Sequence, residues 1–96
     1  MRESFLERKL RDAVKQIGGK APKWVSPGNR GVPDRVVLLP GGRTVYVETK
    51  APGKPLEPLQ KKWAKDLRDL GHKVYKIDTL MDIDKFIAEC KGGGAQ

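Results

Sequence analysis

A chain of 96 residues has room for one compact core but not for a catalytic domain plus a separate recognition domain, so substrate grip and any chemistry must share a surface. Twenty Lys and Arg against twelve Asp and Glu leave a formal charge of +8 and an isoelectric point near 9.8, which favours a polyanionic partner, nucleic acid ahead of an anionic membrane. No run approaches the ~18 apolar residues of a membrane span, and one cysteine (Cys90) with one histidine (His72) excludes a Cys/His zinc site within the chain, so any metal must be one that oxygen holds, such as magnesium, manganese or calcium.

In chain order, Leu6, Leu10, Ala13, Val14 and Ile17 recur at helical spacing and predict an amphipathic helix from Glu3 to Ile17, stopped by Gly18-Gly19. Lys23-Trp24-Val25 reads as a short strand, and Ser26 to Gly31 has the composition of a turn-rich loop. Asp34 to Leu39 and Thr44 to Lys50 are β-branched and aliphatic runs around Pro40-Gly41-Gly42, which predicts a hairpin. Ala51-Pro52-Gly53-Lys54-Pro55 cannot continue a strand, because proline removes ladder donors. A second helix is predicted from Pro58 to Leu70, with Leu59, Trp63, Leu67 and Leu70 as its apolar stripe and Gly71 as its stop. Lys73 to Asp78 alternates as a fourth strand, and Ile83, Phe86 and Ile87 mark a short helix from Met81 to Cys90. The result is an α/β domain of residues 1–90, a small mixed sheet flanked by helices, with residues 91–96 expected as a flexible tail. The sequence opens Met1-Arg2-Glu3-Ser4 with no apolar leader, and the cytoplasm is the expected compartment.

The chemistry gathers at one strand end. Glu48 and Lys50 lie two apart and project to the same face, with Tyr46, while Val45 and Val47 take the other. Gly31-Val32-Pro33-Asp34 opens the preceding strand, and whether Asp34 meets Glu48 depends on the turn. A three-residue loop closed by Leu39 and Arg43 pairs Asp34 with Glu48, whereas a two-residue turn sets Asp34 opposite Thr49, so the odd loop, or an equivalent bulge, is predicted as the geometry that makes the site possible. Two carboxylates at cross-strand distance repel, and a divalent cation resolves the conflict. Asp34, Glu48, a backbone carbonyl such as that of Thr49, water and a substrate phosphate oxygen would complete the octahedral shell magnesium prefers.

Pro33-Asp34 followed by Glu48-Thr49-Lys50 resembles the PD-(D/E)XK nuclease signature, and with Glu7 on the first helix and Gln60 in the second the pattern resembles the VRR-NUC family across residues 3 to 78. The resemblance implies a restriction-endonuclease-like core of order αβββαβ with a short C-terminal helix, Mg²⁺ or Mn²⁺ as cofactor, and DNA phosphodiester cleavage. It also implies a homodimer akin to archaeal Holliday-junction resolvases, with branched DNA as substrate. Asp34, Glu48 and the Thr49 carbonyl would bind metal, Lys50 would act on the attacking water, and Glu7 and Gln60 would support the site. Glu7 is preferred to Glu3, one turn earlier, for its Glu-X-X-Leu match; its other reading is a solvated residue pairing with Arg11. Arg30, Arg35, Lys54, Lys61 and Lys65 are the expected phosphate contacts, with Lys20 and Lys23 as further candidates. Trp63 is read as core, Trp24 and Tyr46 as core or dimer interface, His72 as structural and Cys90 as a packed apolar residue.

Overall fold

Leu6, Leu10 and Val14 stand four residues apart, so a helix stacks them on one line, and in the computed structural model, which describes residues 2–93, all three are fully buried. They belong to helix α1 (Glu3–Gln16), followed by strands β1 (Arg35–Leu39) and β2 (Arg43–Thr49), helix α2 (Pro58–Asp69), strand β3 (Val74–Ile77) and helix α3 (Leu80–Gly93). The sheet runs in the order β1-β2-β3, with β1 and β2 antiparallel and β2 and β3 parallel. A parallel neighbour requires a crossover, and α2 supplies it.

The alternation of the strands sorts the apolar residues into two layers. Val37, Leu39, Val45, Val47 and Ile77 join Leu6, Leu10 and Val14 of α1 and Ile83, Phe86 and Cys90 of α3 in the main core. Burying a side chain of this size is worth about 1.5–3 kcal/mol. The opposite face is smaller: Ala64 and Leu67 of α2 pack with Val74, Tyr46, Trp24, Leu56 and Trp63. Trp24 lies 5.2 Å from Tyr46 and 6.0 Å from Trp63, ring centre to ring centre, and His72 stands edge-on to Tyr46 at 5.6 Å. Trp24, Tyr46 and His72 are thus packing residues.

The hairpin has the odd loop. Leu39 pairs with Arg43 around Pro40-Gly41-Gly42, and both glycines take positive φ (81° and 75°), a conformation that residues with a Cβ rarely adopt. The predicted strand at Lys23–Val25 is replaced by a strap, Lys20–Trp24, along the outer edge of β1. Lys20 exchanges two backbone hydrogen bonds with Leu38, Pro22 O accepts from Val36, and Trp24 N donates to Asp34 O. Pro22 has no N–H to return to Val36, so the ladder breaks into two isolated bridges and the sheet keeps three regular strands.

Two helices also differ from expectation. The α2 stripe is Gln60, Trp63, Ala64 and Leu67, leaving Leu59 at 49% and Leu70 at 75% exposure. α3 extends past Cys90 to Gly93, so residues 91–93, expected as tail, are helical, and the remainder of that expected segment, residues 94–96, lies outside the described residues. Among the described residues no helix is long and apolar enough to cross a membrane.

Candidate active site

Strand register determines what meets at the open end of the sheet. Arg35 pairs with Val47, so Asp34, one residue outside β1, falls opposite Glu48 on the α2 face. Trp24 of the strap grips the Asp34 carbonyl at 2.8 Å. The Asp34 carboxylate is held through Oδ2 alone, which accepts from Thr49 N at 3.0 Å and from Thr49 Oγ1 at 2.8 Å, leaving Oδ1 for a ligand. Thr49 therefore orients Asp34.

Glu48 is 4% exposed. Its Oε2 accepts from Gln60 Nε2 at 3.0 Å, while Oε1 is buried with no hydrogen-bond partner. Burial, and then the facing Asp34 carboxylate, push its pKa up to about 8, with the Lys50 ammonium drawing it partly back. Gln60 cannot turn away, because the start of α2 is a capping box. Glu57 N donates to Gln60 Oε1 at 2.8 Å, so the amide must present its NH₂ group to Glu48, while the Glu57 side chain accepts from the Gln60 backbone. Lys50 is half-buried just beyond β2, its backbone pinned to Ile77 O at 2.9 Å.

An orphaned carboxylate oxygen beside a second carboxylate, in a site whose burial resists a bare negative charge, fits a divalent cation. Among the described residues no group of three or more His, Cys, Asp or Glu gathers to hold one. Two carboxylates plus a carbonyl, water and phosphate oxygens suit magnesium, which keeps much of its hydration, better than a cation that demands a protein cage.

α1 brings two acids with different surroundings. Glu7 forms a 2.9 Å ion pair with Arg35 Nη2 and not with Arg11, so its charge is already matched. Glu3 has its pKa raised by burial and then by Asp34 and Glu7, and lowered by Lys50 and Lys54, which places its carboxylate in the field of the site. Glu3, one helical turn before Glu7, is the acid that sequence reasoning set aside. The signal available to find it was the arginine next to Asp34, which claims Glu7.

The expected phosphate contacts separate. Arg35 is a correction: it is 5% exposed, donates to Ala21 O at 3.0 Å as well as to Glu7, and cannot reach a substrate. Lys65 has its charge offset by Asp69 at 2.6 Å. Lys61 and Lys54 are exposed. Arg30 is exposed and shares a recess with Glu57 and Gln60 beside the carboxylates. Gly31 holds that loop against α2, since φ is +95° and a Cβ there would lie 2.7 Å from Leu59 O.

Comparison with known proteins agrees with this architecture. The family model of the VRR-NUC domain matches residues 1–79. A protein named "Putative nuclease p44" from Acyrthosiphon pisum secondary endosymbiont phage 1 is 48% identical over 79 residues, spanning 82% of this chain and 85% of that protein. A solved structure described as a VRR_NUC domain superposes with a TM-score of 0.86 at 26% identity, covering 90% of this chain and 94% of the other. With the match spanning α1 through β3 and the fold reproduced over nearly the whole length, this chain belongs to the VRR-NUC family.

Proposed function

We propose that this chain, a nuclease by family, is a divalent-metal-dependent DNA endonuclease that hydrolyses phosphodiester bonds with Mg²⁺ or Mn²⁺ and acts on branched DNA such as a four-way junction as a homodimer. The observation that carries the reading is the pairing of half-buried Asp34 with buried Glu48, matched in register and left with an unpartnered Glu48 Oε1. The likeness to a phage protein named as a nuclease supports the same chemistry.

Asp34 Oδ1, Glu48 Oε1 and the Thr49 carbonyl are the protein oxygens that would hold the ion. When bound, the ion supplies an acidified water and offsets charge on the phosphoryl oxygens. Gln60 holds Glu48 by Oε2 and so turns Oε1 toward the ligand. Thr49 does the same for Asp34. Lys50 carries its ammonium where the strand leaves the core, positioned to orient the attacking water and to stabilise the negative charge that develops on the phosphate. In-line attack by that water on phosphorus would break the P–O3′ bond, leaving a 5′-phosphate on one fragment and a 3′-hydroxyl on the other, the 3′ oxygen taking up a proton as it departs. A symmetric dimer presents two such centres related by a two-fold axis, which suits a junction with two equivalent strands.

The test is cleavage of labelled four-way junction and linear duplex with magnesium, with manganese and with chelator. Cutting of the junction only with metal, at paired positions, is the expected result. Wild-type protein that binds DNA but cuts neither substrate with either metal makes the chain a non-catalytic DNA-binding module. Sedimentation at micromolar concentration should give about twice the 10.7 kDa chain mass.

A further inference from the structure

Building on the proposed DNA cleavage, we infer that the trough between α1 and the Lys20–Trp24 strap is the principal DNA-backbone grip, with Arg11, Lys15 and Lys20 contacting phosphates of the strand that flanks the cut. The basic second helix is the natural candidate from composition alone, and pairing weakens it. Lys62 is tied to Asp66 at 3.2 Å and Lys65 to Asp69 at 2.6 Å, so much of its positive charge is spent within its own turns. α1 behaves differently.

Arg11, Lys15 and Lys20 are exposed, and among the described residues none forms an ion pair. They rim an open recess of about 490 Å³ in which Asp12 is the one carboxylate facing three cations. Its lining includes Arg35, whose guanidinium is committed to Ala21 O and Glu7 and ties the strap to the helix, while the buried Nε has no acceptor. That framework fixes the separation of the two cationic walls, so the rim is preorganised and the cost of ordering it on binding is small.

Position gives the trough its partner. Glu3 opens α1 in the field of Asp34, Glu7 one turn on pairs with Arg35, and from Glu7 the helix carries Arg11 and Lys15 one and two turns farther, ~6 and ~12 Å along the axis at ~1.5 Å per residue. Three base-pair steps of duplex cover nearly the same distance at ~3.4 Å each. A strand whose scissile phosphate sits at Asp34 and Glu48 would run its neighbouring phosphates past Arg11, Lys15 and Lys20. Guanidinium and ammonium groups with no stacking aromatic among the lining residues contact phosphates and read charge and shape rather than sequence.

The test compares two charge-removing variants by metal-free binding of labelled junction over a salt series and by single-turnover cleavage with magnesium at saturating protein. Arg11→Gln/Lys15→Gln/Lys20→Gln should make the slope of log affinity against log salt shallower by roughly 2 to 3, at ~0.9 for each phosphate left unneutralised. Its cleavage rate at saturation should stay near wild type, because the trough touches no reacting atom. Lys62→Gln/Lys65→Gln should keep the wild-type slope. The charge-preserving variant Arg11→Lys/Lys15→Arg/Lys20→Arg should also keep it, which separates the effect of charge from that of a damaged fold. A wild-type slope in the triple Gln variant, a larger loss in the α2 pair, or a saturating rate that falls while affinity holds, each overturns the assignment. Wild-type protein that neither binds nor cuts DNA fails the proposed function itself, and the trough with it.

Discussion

Two neighbours where β1 begins, half-buried Asp34 and buried Arg35, carry charge to opposite faces of the sheet and meet opposite fates. On the α1 side, Arg35 finds Glu7 at 2.9 Å and the Ala21 carbonyl at 3.0 Å, so a cation and an anion close a contact that ties helix, strap and strand together. On the α2 side, Asp34 faces Glu48, like against like, and one oxygen of Glu48 is left buried without a partner. A buried carboxylate whose charge is matched within the chain is framework. One whose charge is left unmatched is a place for a ligand.

The sharpest way to break that comparison is to neutralise one acid of each kind. Glu48→Gln should lower single-turnover cleavage by ~10³-fold or more, at the upper end of what a positioned catalytic group supplies. The same change should leave the metal-free protein at least as heat-stable as wild type, since it removes a repelling charge. Loss of both activity and stability would make Glu48 a structural residue. Glu7→Gln should do the reverse, costing about 3 kcal/mol by stranding Arg35 in the interior, while the cleavage rate of the folded protein changes by only a few-fold; denaturant unfolding and cleavage at low temperature separate the two. A stable Glu7→Gln protein that no longer cuts DNA would return Glu7 to the catalytic centre.

Lys50→Ala sharpens the same contrast from the cationic side. It should slow cleavage by ~10²-fold yet leave calorimetric magnesium affinity close to wild type or higher, because the ammonium repels the ion it works beside. The smallest effect is the pH dependence of the metal-free protein. Glu48 has a folded pKa raised to about 8, so between its ordinary value of 4.5 and about 8 the folded state keeps a proton that the unfolded state releases. Stability from this group is complete below the ordinary value and is lost as pH rises through about 8. The melting temperature of wild type should therefore drop from pH 5 to pH 8 more than that of Glu48→Gln, and magnesium should reduce the drop. Parallel curves for the two proteins would remove the unmatched charge from the account.

Much of this was legible in the chain itself. Local spacing placed all three helices and the hairpin, because a 3.6-residue or two-residue repeat of apolar groups is a local property that needs no partner to be recognised. The turn residues alone leave two- and three-residue loops open; the requirement that Asp34 face Glu48 selects the three-residue loop at Pro40-Gly41-Gly42, and the hairpin has that loop and register. The strand at Lys23 was misplaced because Pro22 spoils regular pairing without preventing attachment to the sheet edge.

What only the tertiary structure decided is how charges are partnered. The rotation of α2 exposes Leu59 and turns Gln60 inward, a choice made by the Trp63, Ala64 and Leu67 contacts across the sheet. The same holds for Arg35, which composition assigns to DNA and packing assigns to Glu7, and for Glu3, which the commitment of Glu7 to that pair leaves as the helix acid in the field of the site. Hydrophobic periodicity records which side of an element is buried, but an ion pair between residues 28 apart depends on distances that exist only once the layers have packed.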